Sequence, residues 1–124
     1  MRQTVINAAT LAGGSPATGV MNANYLDDIT FQFNAAGIVA GNGVLTVLGS
    51  NDGVNFTQIA FVDPTQANTN AQNLTRITSL TLSASGNKVG ILDASFKFEF
   101  LKFSVAITTD GTYSVFVHAN KKSS

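Results

Sequence analysis

Cysteine is absent from this sequence. Its absence excludes a disulfide framework, thiolate metal sites and a cysteine nucleophile. Tryptophan is absent too, so nine phenylalanines must supply the bulk of a core. There is one histidine, His118, whereas zinc sites need several His or Cys ligands. Charge is scarce. Asp, Glu, Lys and Arg make up 11% of the residues, against roughly 25% in an average soluble domain. No charge lies between Arg2 and Asp27, and none between Asp28 and Asp52. The net charge is zero, so no basic stripe is available to neutralise nucleic-acid phosphates or to sit on an anionic membrane. The N-terminal residues make a poor signal-peptide core, because Asn7 and Thr10 interrupt it.

Apolar residues make up 44% of the 124, which is enough for one domain with a real core. Their pattern is that of strands. Ile29, Phe31 and Phe33 alternate with Thr30 and Gln32, as on a half-buried strand over Asp27–Asn34. The stretch Ile29–Leu48 is apolar on average but alternates and holds three glycines, so it reads as two strands and a turn rather than a membrane span. Val44–Leu48 reads as a short strand, and Asn51-Asp52-Gly53 as a hairpin turn into Phe56–Val62. Further strands are expected at Thr4–Leu11, around Ile77–Leu82 with an irregularity near Ser79, and at Val89–Leu92. Asp63–Asn73 reads as an exposed loop, and Ser83–Asn87 as a turn. Phe96, Phe98 and Phe100 occupy one parity, and Phe103, Val105 and Ile107 the other. A bulge at Leu101-Lys102 is expected to reconcile them. Thr109-Asp110-Gly111-Thr112 reads as a hairpin turn, after which Tyr113, Val115 and Val117 line one face. About eight short strands without a helical period predict an all-β fold: an antiparallel β-sandwich, jelly-roll-like. Residues 1–24 are expected as an N-terminal strand and arm, with 15–24 a loop or arm. Residues 25–120 are expected to form the sandwich and 121–124 a tail.

The search for chemistry yields little. Asp27 and Asp28 are adjacent, so on a strand they point to opposite faces and do not form an acid/base pair. Glu99 is the single glutamate, flanked by Lys97 and Lys102, and a surface ion pair is the default. His118 falls on the outward face of the last strand and has no nucleophile motif to serve. Asn51, Asp52 and Asn55 offer oxygens to a cation but lack the spaced acids of an EF-hand loop, so turn formation is their expected role. The glycine-rich stretches at 12–14 and 41–43 precede no helix, which removes a phosphate-binding loop. Asn55-Phe56-Thr57 and Asn73-Leu74-Thr75 match the glycosylation sequon by chance in a chain without a secretory signal. No enzyme activity, no cofactor and no metal is expected.

The run Val47-Leu48-Gly49-Ser50-Asn51-Asp52-Gly53-Val54-Asn55-Phe56-Thr57 resembles the hairpin of discoidin-like β-sandwich modules. It is also similar to a class of small bacteriophage virion proteins. There, such a hairpin precedes a strand like Phe100–Val105 and a closing segment like Thr109–Val117. The likeness is close over residues 47–57 and loose over 44–119. It implies a non-enzymatic virion component, most of all a capsid-associated one: a decoration, cement or minor capsid protein. A tail, neck or fibre component is the neighbouring expectation. The implied partners are other virion proteins and further copies of the chain in a homo-oligomer, with neither nucleic acid nor membrane. The discoidin side of the resemblance implies instead an adhesion module for a host-surface glycan. Its ligand-binding residues would come from Asn51, Asn55, Tyr25 and Tyr113.

Overall fold

The computed structural model describes residues 1–11, 15–65, 76–92 and 97–121. Eleven antiparallel strands form two sheets, and no helix forms among the described residues. The strands are β1 (Arg2–Ala9), β2 (Ala17–Asn22), β3 (Leu26–Ala36), β4 (Asn42–Ser50), β5 (Thr57–Ile59), β6 (Phe61–Val62), β7 (Arg76–Ile77), β8 (Leu80–Leu82), β9 (Gly86–Ile91), β10 (Phe100–Thr108) and β11 (Thr112–Lys121). One sheet has the order β1-β11-β3-β9-β6-β7. The other has β2-β10-β4-β5, and β8 pairs with β4 beyond the end of β5.

The pairings nest. β1 pairs β11, β2 pairs β10, β3 pairs β9 and β4 pairs β8. This is one long hairpin rolled up, and the contacts β11·β3 and β10·β4 close the roll. It is the jelly-roll arrangement of eight principal strands. The short strands β5, β6 and β7 are an excursion between β4 and β8, which accounts for eleven strands where about eight were expected.

The core lies between the sheets and is built by alternation. Phe31 and Phe33 of β3, Leu45 and Val47 of β4, Leu101, Phe103 and Val105 of β10, and Tyr113, Val115 and Val117 of β11 are buried there. Phe31 packs edge-on against Phe61 and Phe103, with ring centroids 5.0 and 5.4 Å apart. Each such aromatic pair contributes roughly 0.5–1.5 kcal/mol beyond its buried area.

Several local expectations change. Residues 17–22 are not an arm but the edge strand β2, paired along its length with β10. With β1 paired to β11, Arg2–Ala9 and Ala17–Asn22 both belong to the sandwich instead of preceding it. The first strand runs Arg2–Ala9 rather than Thr4–Leu11, and Gly86 and Asn87 belong to β9 rather than to a turn. The strand expected over Phe56–Val62 divides at Ala60, with β5 in one sheet and β6 in the other. The strand around Ile77–Leu82 divides likewise, and the irregularity near Ser79 is where the chain crosses. No bulge occurs at Leu101-Lys102, because β10 keeps continuous register with β2 and β4. The change of parity is absorbed before the strand, at Lys97–Glu99. Thr109–Thr112 is not a hairpin turn either, since β10 and β11 lie in different sheets. It is a tight crossover, with Thr109 and Gly111 at positive φ. Of the loop expected at Asp63–Asn73, Asp63 is buried, Pro64 and Thr65 are exposed, and the remainder lies outside the described residues. Phe96 and residues 122–124 also lie outside them.

Candidate functional site

Strand register places two sets of connections at opposite ends of the roll. Ser50 pairs with Phe100 and Leu26 with Lys121 at one end; Asn42 pairs with Thr108 and Ala36 with Thr112 at the other. The first end carries a cleft of about 200 Å³. Its floor is apolar, with Leu26, Ile29, Leu92 and Leu101, and its walls bring Asn24, Tyr25, Asp27, Asn51 and Lys97 together.

Backbone groups of Glu99 hold the walls in place. The Glu99 N–H donates to Asn51 Oδ1 at 3.1 Å, and its carbonyl accepts from the N–H groups of Ala23 and Asn24 at 2.7 and 3.2 Å. Three segments that are distant in sequence therefore meet at one residue. Asn22 Oδ1 accepts the Asn24 N–H at 2.9 Å, an Asx turn that starts the β2–β3 connection. Tyr25 follows with φ of 72° and Asp28 with φ of 54°, both in the left-handed region that side chains other than Gly, Asn and Asp rarely adopt. This turn sets Tyr25 on the rim, 72% exposed. The ammonium of Lys97 pairs with the Asp27 carboxylate, while Asp28 accepts from the Asn120 amide at 3.2 Å. Glu99 forms no ion pair among the described residues, and it acts here through its backbone.

Beside the cleft, residues 51–56 connect β4 to β5, a longer loop than a two-residue hairpin turn. Ser50 Oγ accepts the N–H groups of Asp52 and Gly53 and donates to Asp52 Oδ1. The Asp52 carboxylate also accepts the N–H groups of Val54 and Asn55 and the Asn55 side-chain amide, all at 2.8 Å. Backbone N–H donors from Asn55 and Val54, then the side chains of Asn55 and Ser50, hold this carboxyl far below the usual carboxylate range. Its oxygens are taken by turn donors. No group of three or more His, Cys, Asp or Glu able to hold a metal occurs among the described residues.

The four residues read as ligand-binding from sequence separate. Tyr25 and Asn51 line the cleft, though Asn51 spends its side-chain oxygen on Glu99. Asn55 lies outside the lining and serves the Asp52 loop. Tyr113 belongs to the opposite end and is fully buried, stacked on Phe33 with centroids 5.9 Å apart. Its hydroxyl donates to the Asp110 carbonyl at 3.0 Å, and burial followed by the nearby Asp110 charge raises its pKa. A core tyrosine with its polar tip satisfied has nothing to offer a ligand. Sequence reasoning missed Lys97 and the Glu99 backbone as wall-builders. The sequence signal pointed elsewhere, because alternation of Phe96, Phe98 and Phe100 placed the parity slip at Leu101-Lys102.

The fold is shared with a prophage-derived protein. The crystal structure of the SPBc2 prophage-derived protein YomS matches with a TM-score of 0.63, covering 94% of this chain and 90% of that one. The two sequences are 15% identical over that match, so the likeness is one of fold. No family model matches the sequence, and no curated protein matches it.

Proposed function

We propose that this chain is a non-enzymatic structural component of a bacteriophage particle, capsid-associated as a decoration, cement or minor capsid protein. The observation that carries the reading is the fold shared with a prophage-derived protein over nearly the whole of both chains. The surface is consistent with it. Few charges protect this molecule, and apolar side chains stand out at both ends: Val39 is 89% exposed at one, Val54 79% at the other. Contacts with other virion proteins, or with further copies of the chain, would cover such side chains. The test is electron microscopy of purified particles with gold-labelled antibody against this chain. Label on the capsid is the expected result. Label on the tail, neck or fibres moves the chain to that part of the virion, and label confined to the unassembled lysate overturns the reading.

A second reading, a discoidin-like adhesion module for a host glycan, draws on the exposed Tyr25 ring at the rim of the cleft. Against it, about 200 Å³ falls below the roughly 300–1,000 Å³ of small-molecule sites. Saturable binding of a glycan that disappears in Tyr25→Ala would favour this reading over the first.

A further inference from the structure

A second concavity, an open trough of about 620 Å³, lies on the outer face of the six-stranded sheet, away from the cleft. Its volume is within the size range of small-ligand sites. Strand pairing assembles it from distant parts of the chain. Arg2 and His118 are register partners across β1·β11, Phe116 and Gln32 across β11·β3, and Gln32 and Val89 across β3·β9. The Arg2 guanidinium lies over the Phe116 ring, 5.2 Å from its centroid. The ring attracts the guanidinium and keeps it at this face, where its N–H groups can donate to an anion. Arg2 forms no ion pair among the described residues. Gln32 Nε2 donates to Asn34 Oδ1 at 2.8 Å, which fixes both amides and leaves the Gln32 carbonyl and the Asn34 amino group unused. Val89 and Phe116 supply apolar surface, and none of the residues lining the trough is acidic.

The lining therefore asks three things of one ligand: a carboxylate for Arg2, hydroxyls for the paired amides, and an apolar face for Val89 and Phe116. We propose that this trough binds an acidic sugar residue, its carboxylate on Arg2 and its hydroxyls on Gln32 and Asn34. The site goes beyond the structural role proposed above and stands or falls independently of it.

The test is a titration of the full chain, followed by backbone amide shifts, with glucuronate, glucose and N-acetylglutamate as separate probes. Glucuronate is expected to shift the amides of residues 30–34 and 116–118 saturably in the millimolar range. Glucose is expected to bind about tenfold more weakly, for want of the charge-assisted bond. Arg2→Ala should abolish the preference for glucuronate over glucose. Arg2→Lys, which keeps the charge and loses the fork, should reduce it. Absence of saturable shifts with glucuronate overturns the proposal, as does an unchanged preference in Arg2→Ala. N-acetylglutamate binding as tightly as glucuronate also overturns it, because the trough would then read a carboxylate without a sugar.

Discussion

Asp52 and Asp110 organise opposite ends of the molecule by the same means, a carboxylate accepting backbone N–H groups. Asp110 accepts from Val39, Ala40 and Gly41 at 2.8–3.2 Å, tying the β3–β4 connection to the β10–β11 crossover. Desolvation pushes its carboxyl up, but those three donors outweigh it and leave the pKa below the ordinary value of 3.8. Both groups are more acidic folded than unfolded. Their contribution to stability is fully present above pH 3.8 and is lost as the pH falls below it. Amide protection at Val39, Gly41, Val54 and Asn55, taken relative to the unstructured exchange rate at each pH, should therefore be flat from neutral pH down to that value and fall beneath it. Loss of protection that begins near neutral pH would contradict the assignment. Core residues give larger effects. A Cβ added at Gly43 would lie 2.3 Å from the Tyr113 ring. Gly43→Ala should cost about 1–3 kcal/mol in urea unfolding through overpacking. Phe103→Ala should cost about 3–5 kcal/mol, a large share of the roughly 5–15 kcal/mol that holds a domain folded. Tyr113 also shows how much was legible. Its parity with Val115 and Val117 already placed it inward, and proximity to a turn was the weaker guide.

At the scale of elements, alternation in β3 and β11 made those strands readable from sequence, because a half-buried strand writes its faces into every second residue. Strand partners were not readable. The chemistry of Thr109-Asp110-Gly111-Thr112 fixes a tight turn, but it does not decide whether the flanking strands share a sheet. The small polar composition of residues 15–24 hid β2 for a steric reason. A Cβ at Gly19 would lie 2.2 Å from the Val5 carbonyl oxygen, so the two edge strands approach closely only because this position carries no side chain. Gly19→Ala should part β1 from β2 and speed amide exchange in both, with little change in β9. Equal protection in mutant and parent would show that the approach is not needed. Deleting residues 1–24 removes one strand from each sheet, so it should unfold the sandwich rather than merely weaken assembly. A truncated chain that keeps a cooperative thermal transition would contradict the closed roll.

For the whole molecule, the unusual quantity is charge. Seven basic and seven acidic residues cancel over 124 positions. Such a surface gives little electrostatic protection against self-association. The ends add exposed Val39, Val54 and Tyr25. Closed symmetric association would bury these groups. On the reading proposed above, this sandwich is a subunit completed by further copies of itself. Sedimentation velocity of the purified chain over a wide concentration range tests it most directly. A closed oligomer or concentration-dependent assembly is the expected result. A single monomeric boundary at every concentration would contradict it.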